Sequence, residues 1–140
     1  MLGILNIDKP QGITSHDVVN RVRRMLSTRR VGHAGTLDPL ATGALVVAVG
    51  PATRFLQYLP LEPKVYEFTV QFGVETNSQD SEGEVVAEKP VPNDLETQIL
   101  NRTPHFAGEI EQIPPMFSAV KRGGKPLYHL ARQGVEVERE

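Results

Sequence analysis

The chain has 140 residues, 39% hydrophobic and 23% charged, with a formal net charge of −2. Those numbers indicate a soluble globular protein of one ordinary domain, long enough to bury roughly two thirds of its unfolded surface. The absence of cysteine excludes disulfides, thiolate nucleophiles and cysteine-ligated zinc. No apolar run approaches the roughly 18 residues of a membrane span, and "MLGILNIDKP" lacks the pattern of a secretory signal, so the cytoplasm is the expected location. His16, His33, His105 and His129 have no histidine partner at metal-binding spacing, so no metal site is expected.

The small net charge hides an asymmetry. Residues 1–58 carry seven Lys/Arg against three Asp/Glu, residues 59–111 three against eleven, and residues 112–140 five against three. A basic first third and a basic tail can share one cationic face, with the acidic middle turned away; equally, the charges can simply decorate solvated faces.

In chain order, "LGILNI" (2–7) predicts a short buried strand. "KPQGITS" (9–15) is a turn on Pro10 and Gly12. Ser15 is the expected N-cap of a helix whose apolar residues are Val18, Val19, Val22, Met25 and Leu26. Arg21, Arg23 and Arg24 face elsewhere, and Arg29 and Arg30 follow the helix end. The glycine-laced loop "VGHAGTLDPLATG" (31–43) leads into "ALVVAV" (44–49), a buried strand. Pro51 starts a short helix over 51–59. "KVYEFTVQFGV" (64–74) alternates, with Tyr66, Phe68, Val70, Phe72 and Val74 on one face, and predicts a long strand. "SQDSEG" is a loop, "EVVAE" a strand, and "DLETQILNR" (94–102) a helix capped by Asn93. Gly123-Gly124 marks a hairpin turn, a helix over about 126–133 ends at Gly134, and "VEVERE" begins a strand. The pattern favours an α+β fold with a mixed, largely antiparallel sheet and flanking helices.

The loop at 31–43 carries the chemical question. It has no lysine, so it is not a P-loop, and the dinucleotide fingerprint is also absent. A nucleotide cofactor is not expected. Asp38-Pro39 fits the start of a turn or helix. Asp38 also fits a carboxylate nucleophile or base of the kind that attacks a sugar C1 atom. No second acid has a matching loop setting. A one-carboxylate mechanism suits a leaving group that needs little acid help, such as a nucleobase. His33 reads either as a hydrogen-bonded structural residue or as a flat polar group that stacks on or displaces a base. Tyr66 reads as a core or edge aromatic, or as a platform for a flipped base.

Four stretches together resemble one family: "NIDKPQGITSHDVV", "RRVGHAGTLDPLATGALVVAVGPATR", "KVYEF" and "QIPPMFSAVKRGGKPLYHLARQG". They are similar, in order, to the bacterial TruB family of tRNA pseudouridine synthases, which share a catalytic core with the Cbf5/dyskerin enzymes. The likeness runs from about Gly3 to Glu138. It implies isomerisation of a uridine in the T-arm loop of tRNA (position 55 in tRNA numbering) to pseudouridine, with no cofactor, no metal and no obligatory protein partner. Asp38 would be the catalytic aspartate. Tyr66 would stack on the flipped uracil and help to move the C5 proton. His33 would fill the space that the flipped nucleotide leaves, with Gly32, Gly35 and Thr36 beside it on the RNA. Lys9 and Pro10 would support the active-site loop. Residues 113–134 would form an RNA-gripping insertion, with Lys121, Arg122, Lys125 and Arg132 near phosphates.

The resemblance also implies that residues 1–140 are the N-terminal part of the catalytic domain. Relatives run to about twice this length. The C-terminal half of that domain, with an arginine that pairs with the aspartate, and a PUA-like domain are absent from these residues. The 140 residues alone are therefore expected to be inactive or weak. Two other readings are a non-catalytic tRNA-binding or tRNA-folding module and a guide-RNA-dependent enzyme of the Cbf5/dyskerin type. The short start before "LNIDKP" and the long insertion after "QIPPMFSA" favour the stand-alone form.

Overall fold

A computed structural model describes residues 2–60, 62–113, 118, 120–127, 130, 135 and 137. It contains two compact units, Met1–Glu67 and Phe68–Glu140.

The first unit is built on a three-stranded antiparallel sheet of β1 (Gly3–Lys9), β2 (Val31–Ala34) and β3 (Gly43–Val49), in the order β1-β3-β2. β3 is central, which is why "ALVVAV" reads as a continuous apolar run: Leu45, Val47, Ala48 and Val49 are all buried. β1 pairs with β3 from Gly3↔Val49 to Lys9↔Gly43. Among the described residues β1 is an edge strand, and Ile4 and Leu5 are exposed on it, where the sequence predicts a buried strand. β2 was read as loop, because Gly32 and Gly35 weaken a strand pattern. Its four residues nevertheless pair with β3 from Val31↔Val49 to Ala34↔Val46.

Helix α1 (Ser15–Met25) covers the sheet with Val18, Val19 and Val22, which pack with Val31, Leu45, Val47 and Val49. Ile7, Ile13, Leu26 and Leu37 border this core. Full burial stabilises each such side chain by about 1.5–3 kcal/mol, so the cluster is the main support of the unit. The N-cap is Thr14, one residue before the predicted Ser15. Thr14 wins because Asp17 stands at the third helical position and completes a capping box. The Thr14 Oγ1 accepts from the Asp17 N–H at 3.1 Å, and the Thr14 N–H donates to Asp17 Oδ2 at 2.9 Å. At the other end the chain turns through Ser27, with φ at 48°, and Met25 is exposed instead of joining the apolar face. A 3-10 helix, Gly50–Tyr58, follows β3 with Pro51 in its first turn.

The long strand expected over 64–74 does not form. Only Val74 belongs to a strand, and Tyr66, Phe68, Val70 and Phe72 are exposed. An alternating segment becomes a strand only when a neighbour takes up its backbone hydrogen bonds. Among the described residues, no strand pairs with 64–73.

In the second unit, β4 (Val74–Thr76) and β5 (Val85–Glu88) form an antiparallel pair. Their connection is tied by Asp80, whose Oδ1 accepts from Ser78 Oγ at 2.6 Å and from the Glu82 N–H at 2.9 Å. The Ser78 bond, with smaller help from the Glu82 and Gly83 amides, holds the Asp80 carboxyl below the ordinary aspartate range. Helix α2 (Leu95–Arg102) begins after Asp94, which makes no side-chain cap bond, rather than after Asn93. A second 3-10 helix spans Thr103–Phe106. β6 (Lys121–Arg122) and β7 (Lys125–Pro126) form the expected hairpin. Gly123 and Gly124 turn it with φ of 59° and 81°, a geometry that glycine adopts without steric cost. The helix predicted over about 126–133 and the strand "VEVERE" fall largely outside the described residues.

Candidate active site

The segment from Gly35 to Thr42 crosses from β2 to β3 with no helix in it. Asp38-Pro39 therefore begins a turn, closed by the Ala41 N–H on the Asp38 carbonyl at 3.1 Å. Asp38 is exposed, yet the backbone on each side of it is fixed.

On the C-terminal side, Pro39 is held by the turn that follows β1. The Pro39 carbonyl accepts from the Gly12 N–H at 2.8 Å. It also accepts from Lys9 Nζ at 3.3 Å. Lys9 is fully buried, and its ammonium donates in addition to the carbonyls of Ile13 at 2.8 Å and Pro10 at 3.0 Å. Three acceptors match the three donors of an ammonium. A buried cation without such partners would carry a large desolvation penalty. Pro10 itself is exposed and takes part through its carbonyl.

On the N-terminal side, Leu37 is held by Ser15. The Leu37 N–H donates to Ser15 Oγ at 2.9 Å, and that hydroxyl lies 3.1 Å from the Leu37 carbonyl, to which it donates. Ser15 is 2% exposed. Leu37 also borders the hydrophobic core, so the loop is anchored by packing as well.

His33 lies on β2, half-buried, with Nδ1 2.9 Å from the Gly35 carbonyl. A carbonyl only accepts, so Nδ1 is the donor in this contact, and among the described residues no hydrogen bond is made by Nε2. Gly35 has φ at 78°, which a residue with a side chain rarely adopts. Gly32 lies under the 3-10 helix, where a Cβ would stand 3.2 Å from Leu56 Cδ1. Thr36 is exposed. Tyr66, 61% exposed, stands in the irregular end of the same unit.

Elsewhere in this unit, α1 and Ile13 line an open hollow of about 650 Å³, to which the helix contributes Asp17, Asn20, Arg21, Arg23 and Arg24. Arg23 is anchored there, donating to Asn20 Oδ1 at 3.1 Å and to the Val31 carbonyl at 3.2 Å. In the second unit, Lys121 is exposed on β6, and Arg122 pairs in register with Lys125 of β7. Arg132 lies outside the described residues.

In the sheet, Lys9 pairs with Gly43 at one end of β3, whereas Gly32 and His33 pair with Ala48 and Val47 toward the other. Gly35, Thr36 and Asp38 lie in the connection from β2 to β3, which is tied at Pro39 to Lys9. Tyr66 belongs to the same unit, and Lys121, Arg122 and Lys125 belong to the other. Ser15 and Gly12, which hold the loop, were missed as such in the sequence, where they appeared as a cap and a turn glycine. No local spacing pairs Ser15 with a residue 22 positions away. Among the described residues, no group of three or more His, Asp or Glu could hold a metal ion. None of their helices is long and apolar enough to cross a membrane.

An exposed carboxylate on a backbone fixed from both sides is suited to attack, or to deprotonation, at a defined point. Comparison with known proteins gives that arrangement its class. Residues 23–140 match the family described as TruB family pseudouridylate synthase (N terminal domain). The chain belongs to this family. It is 56% identical over 141 residues to the tRNA pseudouridine synthase B of Syntrophotalea carbinolica, a match that covers 100% of this chain and 46% of that protein. It is 52% identical over 138 residues to the enzyme of the same name from Trichormus variabilis, covering 99% and 47%. The chain therefore spans about half the length of these curated relatives. The crystal structure of a Cbf5–Nop10–Gar1 complex contains a chain that aligns with a TM-score of 0.55 and 34% identity, over 86% of this chain and 31% of that one. The α+β fold with antiparallel pairing is common to the prediction and the structure.

Proposed function

We infer that the protein isomerises a uridine in the T-arm loop of tRNA, position 55, to pseudouridine, with Asp38 as the catalytic carboxylate. The observation that carries this reading is Asp38 itself, exposed between two fixed backbone points in the block shared with the family. The C1′–N1 glycosidic bond breaks and the uracil turns. A C1′–C5 bond forms, C5 loses its proton, and N1 gains one. Asp38 acts at the ribose as nucleophile or base, and no metal or cofactor takes part.

The target base must leave its stack, which costs a few kcal/mol. Tyr66 offsets this by stacking on the extruded uracil, a contact of about 1–3 kcal/mol. His33 occupies the place of the flipped nucleotide. Gly32, Gly35 and Thr36 form the surface beside it, and Lys9 and Pro10 support the loop from below. Residues 113–134 grip the RNA, with Lys121, Arg122, Lys125 and Arg132 on phosphates. The basic first third holds the other side of the T-arm. In this reading residues 1–140 are the N-terminal part of the catalytic domain, and the protein works in the cytoplasm without an obligatory protein partner.

The likeness to the Cbf5 chain motivates a second reading, in which a guide RNA selects the uridine. Identity above 50% to tRNA pseudouridine synthase B over almost the whole chain favours the first. Unmodified tRNA transcript and the natural full-length protein, with no guide RNA, separate the two. Pseudouridine mapped to the T-arm loop supports the reading, and modification only on addition of a guide RNA, or at another position, contradicts it.

A further inference from the structure

We propose that Ser15 is a positioning residue for the reaction: its buried hydroxyl fixes both peptide planes that meet at Leu37 and so sets where the Asp38 carboxylate stands. The inference rests on the proposed catalytic role of Asp38.

A serine hydroxyl has one proton to donate and lone pairs to accept with. Here the Leu37 N–H donates to it at 2.9 Å, and it donates to the Leu37 carbonyl at 3.1 Å. The N–H belongs to the peptide before Leu37. The carbonyl belongs to the peptide that leads directly into Asp38. One atom thus controls the orientation of the backbone immediately ahead of the carboxylate. Nothing local requires this of Ser15, because the helix is already capped by Thr14 and Asp17.

The holder is itself rigid. Ser15 is the first residue of α1, 2% exposed, and the following turns of that helix place Val18, Val19 and Val22 in the core. The loop receives its second fixed point at Pro39 from Lys9 and Gly12. Asp38 lies between the two points, one residue from each. Removal of the Ser15 contact leaves the Leu37 side chain packed on the core but frees both peptide planes at Leu37, so the backbone entering Asp38 loses its orientation. A displacement of about 1 Å at a reacting group can cost on the order of a hundredfold in rate.

The test compares Ser15→Ala with Val22→Ala and Asp38→Asn in the natural full-length protein. Val22 packs in the same core but makes none of the hydrogen bonds that hold the loop backbone. Three quantities are measured: the single-turnover rate at saturating tRNA, the tRNA dissociation constant and the thermal midpoint. Ser15→Ala is expected to lower the rate about 10- to 100-fold with tRNA affinity within about 2-fold of the unaltered protein. Val22→Ala is expected to keep its rate within about 2-fold despite a lowered midpoint. The inference is overturned if Ser15→Ala keeps a normal rate, or if the two variants lose rate alike in step with lost stability. If the alanine variant does not fold, Ser15→Cys, close in volume but a weak donor, replaces it with the same criterion. Asp38→Asn separates the two levels. If it turns over normally, the reading of Asp38 fails and takes the positioning role with it. If it is inactive while Ser15→Ala is normal, only the role of Ser15 fails.

Discussion

The Lys9 ammonium donates to the Pro39 carbonyl across a separation of 30 residues in sequence. It joins the end of β1 to the loop that carries Asp38. Loss of this cation removes a donor from the carbonyls of Pro10, Ile13 and Pro39, the last of which keeps the Gly12 N–H. Lys9→Met keeps most of the side-chain length and removes the donors. It is expected to cost about 2–4 kcal/mol in a denaturant titration and to lower turnover, since the fixed point at Pro39 is then held by the Gly12 N–H alone. A loss of stability below about 0.5 kcal/mol contradicts the clamp, because charged hydrogen bonds in a buried site are worth more than that.

A pH effect is expected at the start of α1. The Asp17 carboxyl is held below its ordinary value of 3.8, first by the Thr14 hydroxyl and then by the Thr14 N–H. A carboxyl depressed by folding stabilises the native state above the unfolded value and ceases to do so as pH falls through the folded one. Asp17→Asn should therefore lie below the unaltered protein in thermal midpoint near neutral pH, and the gap should close below about pH 4. A gap that stays constant into acid contradicts the capping role of the carboxylate.

Tyr66 offers two functions that a pair of variants separates. Tyr66→Phe keeps the ring and removes the hydroxyl, whereas Tyr66→Leu removes the ring. If the residue acts by stacking alone, the phenylalanine variant retains most activity and the leucine variant loses about 1–3 kcal/mol of transition-state stabilisation, read from kcat/KM. If the hydroxyl helps to move the C5 proton, both lose turnover. Normal kinetics in both variants removes Tyr66 from the site.

Lys121 is exposed on the hairpin turned by Gly123 and Gly124. As a phosphate contact, it contributes affinity that salt weakens. Lys121→Ala is expected to weaken tRNA binding and to reduce the slope of log affinity against log salt by about 0.7–0.9. Weaker binding with an unchanged slope points to a contact other than phosphate.

The parts legible in the sequence are those whose signal is local. β3 is fully apolar because it is flanked on both sides, α1 repeats its valines at helical spacing, and Gly123-Gly124 names its own turn. β2 is masked by Gly32 within it and Gly35 just after it, and its pairing with β3 is what reveals it. The 64–74 segment carries a strand pattern, but pattern alone supplies no hydrogen-bond partner, and among the described residues none pairs with 64–73. The block around Asp38 was recognisable from its residues. The devices that hold it were not, because Ser15–Leu37 and Lys9–Pro39 are contacts between distant positions. Ser15 was read as a helix cap for a further reason: Thr14 and Ser15 are both capping residues, and only the match with Asp17 decides between them.

The central claim is that glycosidic cleavage runs through Asp38. Tritium release from C5-labelled tRNA by the natural full-length protein measures it directly, with Asp38→Asn as the variant. The account predicts that tritium release falls to background while tRNA binding is retained. Release at the normal rate from the Asp38→Asn protein would contradict it.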